Sequence, residues 1–516
     1  MSRSISLPAT PAPAIALDQG DNVLIARHAL APGLRLPAER LTIAETIPAG
    51  HKLARAPIAT GGAVRKFGEI IARATCDIAP GEHVHIHNCR VDVVSHDPAP
   101  VHRRPPPERL PARQRADFDG YLRDSGRVGT RNYIGVLTSV NCAATVARQV
   151  CRELERSGVL ADFPNVDGVV PLTHSGGCGM AADGDGIALL RRALCGYATH
   201  PNFAAVLIIG LGCEVNQIPD LLASRGLASG AGLQTLTIQG AQGTRRTIDA
   251  ACARIIELLP SANAARRRKI PASELILALQ CGGSDAFSAI TANPALGVAA
   301  DRLVANGGTA ILSETPEIYG AEHLLIARAA RPAVGAKLRA RITWWERYVA
   351  RHGGEMSNNP SPGNHAGGIT TIVEKSLGAI AKGGSAPLTG VYLYGEPITS
   401  RGLVFMDSPG FDPCSVTGQV AAGANLVCFT TGRGSVFGCK PVPSLKIASN
   451  SALYRSMPED MDLNAGSVID GTESLAEVGG RIFTRILEVA SGARSCSEQL
   501  GFGDDEFIPW QIGAVM

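Results

Sequence analysis

The feature that most constrains this chain is a pattern that recurs at least five times after residue 130. A short apolar run breaks into a polar turn, and a helical stripe often follows. Tyr133–Val140 runs into Asn141-Cys142, Gly168–Leu172 into His174–Cys178, and Ala204–Gly210 into Leu211–Glu214. Leu275–Gln280 runs into Cys281–Asp285, Thr309–Leu312 into Ser313-Glu314, and Leu426–Phe429 into Thr430–Gly434. Runs this apolar and this short fit strands buried on both faces, as in parallel sheets covered by helices. Helices are expected after Cys142 (stripe Val146, Val150, Cys151, Leu154, then Gly158), at Thr247–Leu259, from Asn293-Pro294 to Gly307, and at Leu475–Val489.

The first hundred residues have a different texture. Asn22–Leu30, Leu41–Ile47 and Glu82–Asn88 read as short strands, separated by Gly61-Gly62 and Pro80-Gly81. His96–Asp119 is rich in proline and charge and has no apolar period, which reads as a semi-extended linker. The expected fold is therefore α/β: a small N-terminal β-rich domain (1–95), the linker (96–119), and two α/β regions with mainly parallel sheets (120–270 and 271–516). A chain of 516 residues is too long for one core.

Composition removes several function classes. The net charge is only +3 and aromatic residues make up 4%, with no basic stripe interleaved with aromatics, so no nucleic-acid partner is expected. The one dense basic run, Arg266–Lys269, reads as a solvated loop. No apolar run is long enough to span a membrane, and the N-terminus lacks a signal core and reads as a loose leader. Thirteen scattered cysteines, an odd number, do not form a disulfide framework and point to a reducing cytoplasm.

In open α/β sheets ligands bind beyond the carboxyl ends of the strands. That rule collects Cys142, His174, Cys178, Cys213, Glu214, Cys281, Ser284, Asp285, Glu314 and Arg433 as side chains at sheet ends. In the N-terminal region His83, His85 and His87 alternate with Val84 and Ile86. On a strand this puts three imidazoles on one face about 6.6 Å apart, within reach of one metal; the alternative is a solvated strand face.

These loops carry a resemblance. Gly50-His51-Lys52, Gly126–Asn132 (GRVGTRN), Gly210–Glu214 (GLGCE), Cys281–Asp285 (CGGSD) with Thr291–Pro294, Pro360–Asn364 (PSPGN) with Gly367-Gly368, and Thr431–Gly434 (TGRG) resemble the signatures of the altronate/galactarate dehydratases, in order and from about residue 20 onward. The resemblance implies an N-terminal SAF (β-clip) domain. It also implies loss of water from a sugar acid to give a 2-keto-3-deoxy acid, Fe²⁺ as the usual metal, and a homodimer. The run from His83 to Asn88 is closer to the altronate branch; Ser139–Cys142, Asn165–Val170 and Gln280–Phe287 are closer to the galactarate branch. Gly176 stands where the family tends to have tyrosine before Gly-Cys.

Such a dehydration needs a base for the proton alpha to the carboxylate, a Lewis acid for the developing enediolate, and an acid for the departing hydroxyl. The candidate catalytic groups are His51, Lys52, His174 and Glu314, with Lys52 also a carboxylate anchor. Substrate-binding candidates are Arg131, Asn132, Ser284, Asp285, Asn364 and Arg433. The last is either a bidentate carboxylate clamp or a structural partner of Glu314 or Asp407. Metal candidates are His83, His85, Cys142, Cys178, Cys213 and Cys281, for Fe²⁺, with Mn²⁺ or an iron–sulfur cluster as alternatives. Cys151, Cys195 and Cys252 read as buried small hydrophobes. A nucleotide-binding reading fails because Val215 takes the place of the third glycine after Gly210-Leu211-Gly212. Two other readings compete: a sulfo-lyase acting on a sulfonated hydroxy acid, and a non-catalytic sugar-acid binding protein.

Overall fold

A computed structural model describes residues 12–91 and 105–515. Its middle is a four-stranded parallel sheet in the order Gly168–Leu172, Tyr133–Thr138, Phe203–Gly210, Leu233–Thr237. The helices Ala144–Ser157 and Thr244–Ala264 cover one face, burying Val146, Val150, Leu154, Ile248 and Ile255 against Ile134, Val136 and Leu207. Each such fully buried aliphatic side chain is worth ~1.5–3 kcal/mol. Gly158, left-handed at φ 72°, closes the first helix by donating its N–H to the Glu155 carbonyl. The helix Asp185–Ala198 covers the other face.

The C-terminal part is built on seven parallel strands in the order Leu388–Tyr392, Gly402–Met406, Thr309–Ser313, Ile276–Cys281, Leu426–Thr431, Ser444–Ala448, Leu463–Asn464. The period-two alternation is clean. Leu277 and Leu279 pack with the helices Ala292–Ala305 and Leu475–Ala490, whereas Ala278 joins the cluster on the opposite face with Asp412–Ala421; the helix Pro332–Arg351 contributes to both clusters, Leu338 to the first and Trp345 to the second. The two parallel sheets are locked together by polar bonds: Thr130 Oγ donates to the Asn425 carbonyl and Asn202 Nδ2 to the Pro441 carbonyl.

The N-terminal part is β-rich, as expected. One antiparallel sheet orders Ala14–Ile15, Val23–Ala26, Lys52–Ala54 and His83–Val84; a second orders Ala63–Lys66, Glu69–Ala74 and Cys89–Arg90. It has a core of its own around Leu24, Leu30, Ile43 and Leu53. On its other side Ile15, Val23, Ile25 and Ile71 belong to one continuous apolar cluster with Phe287 and Ile290 of the C-terminal part. Apolar burial therefore seats this region at the end of the seven-stranded sheet.

Several expectations are corrected. The strand expected over Glu82–Asn88 is only His83–Val84, because Asn88 closes a turn. Its Nδ2 donates to the His83 carbonyl and its Oδ1 accepts the His85 N–H. Asn293 does not cap its helix, which starts at Ala292. It is buried, donating to the Gly378 carbonyl and accepting from Thr430 Oγ. The end of the expected linker is a strand, Asp117–Leu122, paired with Arg268–Pro271; its start falls at residues 96–104, outside the described residues, as does much of the leader. Arg267 is no solvated loop residue, since it lies over the Tyr121 ring and donates to the Asp119, Thr130 and Ala490 carbonyls. Among the described residues no helix is long and apolar enough to cross a membrane.

Candidate active site

The turn that Asn88 closes has a chemical consequence. It folds His85 back beside His83, while the antiparallel pairing of Lys52–Ala54 with His83–Val84 brings His51 against both. His51 Nδ1 is 2.9 Å from His83 Nε2, and one ring nitrogen from each of His51, His83 and His85 falls within 4.8 Å of the others. His51 Nε2 lies 3.3 Å from the Ala366 carbonyl, which assigns its proton there and leaves the Nδ1 lone pair facing the trio. His85 Nδ1 is buried with no hydrogen-bond partner. Burial, reinforced by the neighbouring imidazoles and Lys52, pushes His83 down to about 4 and His85 to about 3, and burial also lowers His51. Three imidazoles that meet at ring nitrogens, with one further buried nitrogen unpartnered, match the donor set of a divalent cation once the shared proton leaves, so the residues fit the expected metal. His87 lies on the rim, its ring tilted at 43° and 5.3 Å from that of His83, and His365 approaches from the C-terminal part, 6.3 Å from the His85 ring.

The loops beneath this cluster converge. The backbones of Gly50 and Gly368 touch so closely that a Cβ on Gly368 would lie 2.9 Å from the Gly50 carbonyl oxygen, and Ala286 N–H donates to the Gly367 carbonyl. Asn364, locked with Ser361 in a capping box, donates to the Ser284 carbonyl. Asp285 accepts from the Ser288 N–H, Ser288 Oγ, Ser449 Oγ and Asn450 Nδ2. Both residues are engaged in stitching loops together. Ser284 Oγ, by contrast, is buried and unpartnered. Arg433 is exposed, and its guanidinium makes no hydrogen bond among the described residues; its Cβ packs over Gly283. It remains the free cation of this end.

Lys52 is held inside the protein. It is fully buried, donating to the Gly368 carbonyl at 2.7 Å and to both oxygens of Glu374, so none of its three N–H bonds is left for a ligand. Lys66 also donates to Glu374, at 2.7 Å. Despite burial, these two ammoniums hold the Glu374 carboxyl well below the usual range. Neither Lys66 nor Glu374 has a local sequence signal; their pairing spans 308 residues.

Glu314 ends its strand in a left-handed conformation, φ 69°, that a non-glycine residue adopts only under strain of ~1–3 kcal/mol. Both its carboxylate oxygens are buried without hydrogen-bond partners. Burial, with Glu317 and Asp412 beside it, raises its pKa well above the ordinary glutamate value and so favours its protonated form. Glu317 goes the other way, to about 2: burial raises it, but Lys375 and Lys382 outweigh that. Asp412 is raised to about 6, chiefly by burial. Paired carboxyls driven apart in this way are a recurrent acid–base arrangement.

The remaining candidates lie elsewhere. Cys281 is in this buried network, with Lys382 Nζ 2.8 Å from its sulfur, and burial lifts the thiol to about 12; it does not join the other three cysteines. Cys142, Cys178 and Cys213 are exposed at the carboxyl end of the four-stranded sheet. His174 is buried there, Nε2 bonded to the Thr138 carbonyl and Nδ1 to the Gly176 N–H, which leaves neither nitrogen for catalysis. Arg131 uses all five guanidinium N–H bonds on Glu498 and the Thr130, Val489 and Ala493 carbonyls. Asn132 donates to the Asn165 and Ala262 carbonyls. Arg131, His174 and the amide N–H groups of Asn132 are thus held in structural contacts, while the buried Asn132 Oδ1 has no hydrogen-bond partner. A groove of about 960 Å³ between the helix Pro332–Arg351 and residues 180–187 and 512–514 is lined by none of the groups named here as candidates.

Comparison with known proteins identifies the family. Family models match the altronate/galactarate dehydratase SAF domain over residues 12–92, the D-galactarate dehydratase/altronate hydrolase second domain over 120–263, and the D-galactarate/altronate dehydratase C-terminal domain over 272–515. The galactarate dehydratase (L-threo-forming) of Escherichia coli (strain K12) is 38% identical over 93% of this chain and 93% of its own length. The altronate dehydratase of Bacillus subtilis (strain 168) is 36% identical over 93% of this chain and 95% of its own. The beta subunit of the (2R)-sulfolactate sulfo-lyase of Chromohalobacter salexigens is 32% identical over 74% of this chain and 95% of its own. The chain belongs to the galactarate/altronate dehydratase family.

Proposed function

We propose that this chain is a hydro-lyase that removes water from a sugar acid of the altronate or galactarate type, giving a 2-keto-3-deoxy acid, with Fe²⁺ held by His51, His83 and His85. The observation that carries the reading is the imidazole trio, its ring nitrogens within 4.8 Å, seated over the loops at the carboxyl end of the seven-stranded sheet. The ion supplies Lewis acidity toward the carboxylate end of the substrate. Arg433 binds a carboxylate as a fork. Ser284 Oγ gives a hydroxyl of the substrate the partner that it otherwise lacks.

His365 is the base. Its Nδ1 is 2.9 Å from the Ile369 carbonyl, which fixes the proton on that nitrogen and leaves the Nε2 lone pair to take the alpha proton. Glu314 keeps a proton for the departing hydroxyl, while Glu317, held ionised by Lys375 and Lys382, supplies the charge that keeps Glu314 protonated. In this reading Lys52 and Glu374 do no chemistry; they hold the histidine-bearing strand onto the loops.

The test is anaerobic incubation of protein loaded with Fe²⁺, loaded with Mn²⁺, or treated with chelator, against aldonates, aldarates and sulfolactate. Keto-acid from one sugar acid, lost on chelation and restored by Fe²⁺, is expected. Sulfite release from sulfolactate would move the chain to the sulfo-lyases. Tight binding of one acid without turnover would make it a binding protein.

A further inference from the structure

We infer that Cys142, Cys178 and Cys213 form a second metal site, one built for an iron–sulfur cluster held by three thiolates. The three cysteines leave three adjacent strands of the four-stranded sheet, Cys142 after the central strand Tyr133–Thr138 and the others after its two neighbours. Their loops are stitched to one another beside each sulfur. Asn141 N–H donates to the Gly176 carbonyl at 3.0 Å and Asn141 Nδ2 to the His174 carbonyl at 3.2 Å. Asn216 N–H donates to the Gly177 carbonyl and its Nδ2 to the Ser139 carbonyl, each at 3.0 Å.

Two further residues are spent on the arrangement. Gly177, at φ 97°, lets its loop press on the next one; a Cβ there would overlap the Ser139 carbonyl oxygen and lie 2.8 Å from Val140 Cα. Glu214, buried, accepts from Ser139 Oγ at 2.6 Å and from the Leu211 and Gly212 N–H groups, folding the turn that presents Cys213. A buried carboxylate and a glycine at positive φ used to fix the loops of three exposed thiols are hard to explain by core packing.

Spacing distinguishes the ligand. A single tetrahedral ion with metal–sulfur bonds of about 2.3 Å needs its thiolates about 3.8 Å apart. Among the described residues the histidine trio alone gathers three ligand atoms within 4.8 Å, so the three sulfurs stand wider than one ion requires. A cubane cluster, whose terminal thiolates sit on different irons, does not require its thiolates that close. With three protein thiolates a [4Fe–4S] cluster keeps one iron without a cysteine, open to an oxygen ligand. Cys281, buried in the other sheet, is not the fourth ligand.

The site is independent of the histidine trio, and the experiment separates the two. The full chain is purified without oxygen, reconstituted with ferrous iron and sulfide, and assayed for acid-labile sulfide, iron and visible charge-transfer absorbance. About four sulfides per chain are expected for a [4Fe–4S] cluster, together with protection of these thiols from alkylation while Cys76, also exposed, is labelled. Cys142→Ser, Cys178→Ser and Cys213→Ser each lose the sulfide and the absorbance; Cys76→Ser and His83→Ala keep both. Should a serine variant misfold, the alkylation pattern of the unaltered chain decides instead. Sulfide-free protein after reconstitution, or three thiols that label as fast as Cys76, would overturn the inference.

Discussion

The two parallel sheets of this molecule end differently. At the four-stranded sheet the strands run out into loops that face water and present three thiols. At the seven-stranded sheet the corresponding loops lie under the N-terminal β region, and the side chains there are buried imidazoles, carboxylates and ammoniums whose pKa values are moved in opposite directions. The same topological rule thus yields two environments. Exposure leaves soft, ionisable sulfur available to metal, whereas enclosure strengthens every charge–charge interaction and makes proton positions controllable.

The largest effect that would break this contrast concerns the enclosure itself. Glu374→Gln leaves Lys52 and Lys66 as buried ammoniums without a counter-charge, so a loss of about 3–5 kcal/mol in stability is expected, read as a fall in chemical-denaturation midpoint. A change below about 1 kcal/mol would mean that the N-terminal region is not held by this network.

Acid should reveal the buried imidazoles next. His200, bonded through Nε2 to the Ala424 carbonyl and through Nδ1 to the Asn202 N–H, is pushed down to about 3 by burial, and His174 to about 4. A histidine whose folded pKa is lowered contributes fully above its unfolded pKa, near 6.5. That stability is lost as pH falls from there toward the folded value. Each imidazole therefore costs about 2 kcal/mol at pH 5, and His200→Asn should flatten the dependence of stability on pH between 7 and 5. An unchanged slope would show that His200 is hydrated in solution.

Smaller effects sharpen the comparison. Arg433→Met should raise KM about tenfold with kcat nearly unchanged, the signature of uniform binding by a clamp, as initial rates on the preferred acid will tell. At the other sheet Gly177→Ala should disturb the cysteine loops, whereas Gly176→Ala, whose new Cβ would meet only ordinary contacts near Gln511 and Leu190, should leave unfolding free energy within about 0.5 kcal/mol of the parent, read from chemical denaturation.

Both sheets were legible in the sequence because each core strand is an apolar run that stops abruptly at a polar turn. Gly168–Leu172 matches residue for residue. The helix Pro332–Arg351 was not foreseen, nor were the strands Leu388–Tyr392, Gly402–Met406 and Ser444–Ala448. The histidines were legible as residues but not as geometry. Read as a strand, His83, His85 and His87 share a face; the Asn88 turn instead turns His85 toward His51. Arg131 looked available because sequence does not reveal that its partners are main-chain carbonyls of Val489 and Ala493, more than 350 residues away. Lys66, Glu374, Glu317 and Lys382 carry no motif, and only burial makes them matter.

The central claim is that the imidazole trio holds the ion on which dehydration depends. It is tested most directly by titrating Fe²⁺ into the anaerobic unaltered chain, His51→Ala and His83→Ala, and measuring ion affinity and keto-acid formation on the same samples. Both variants should lose at least about 100-fold in iron affinity at this site and in kcat/KM together, with the fold intact by circular dichroism. Variants that form keto-acid at the parental rate, or that bind iron normally yet are inactive, would contradict it.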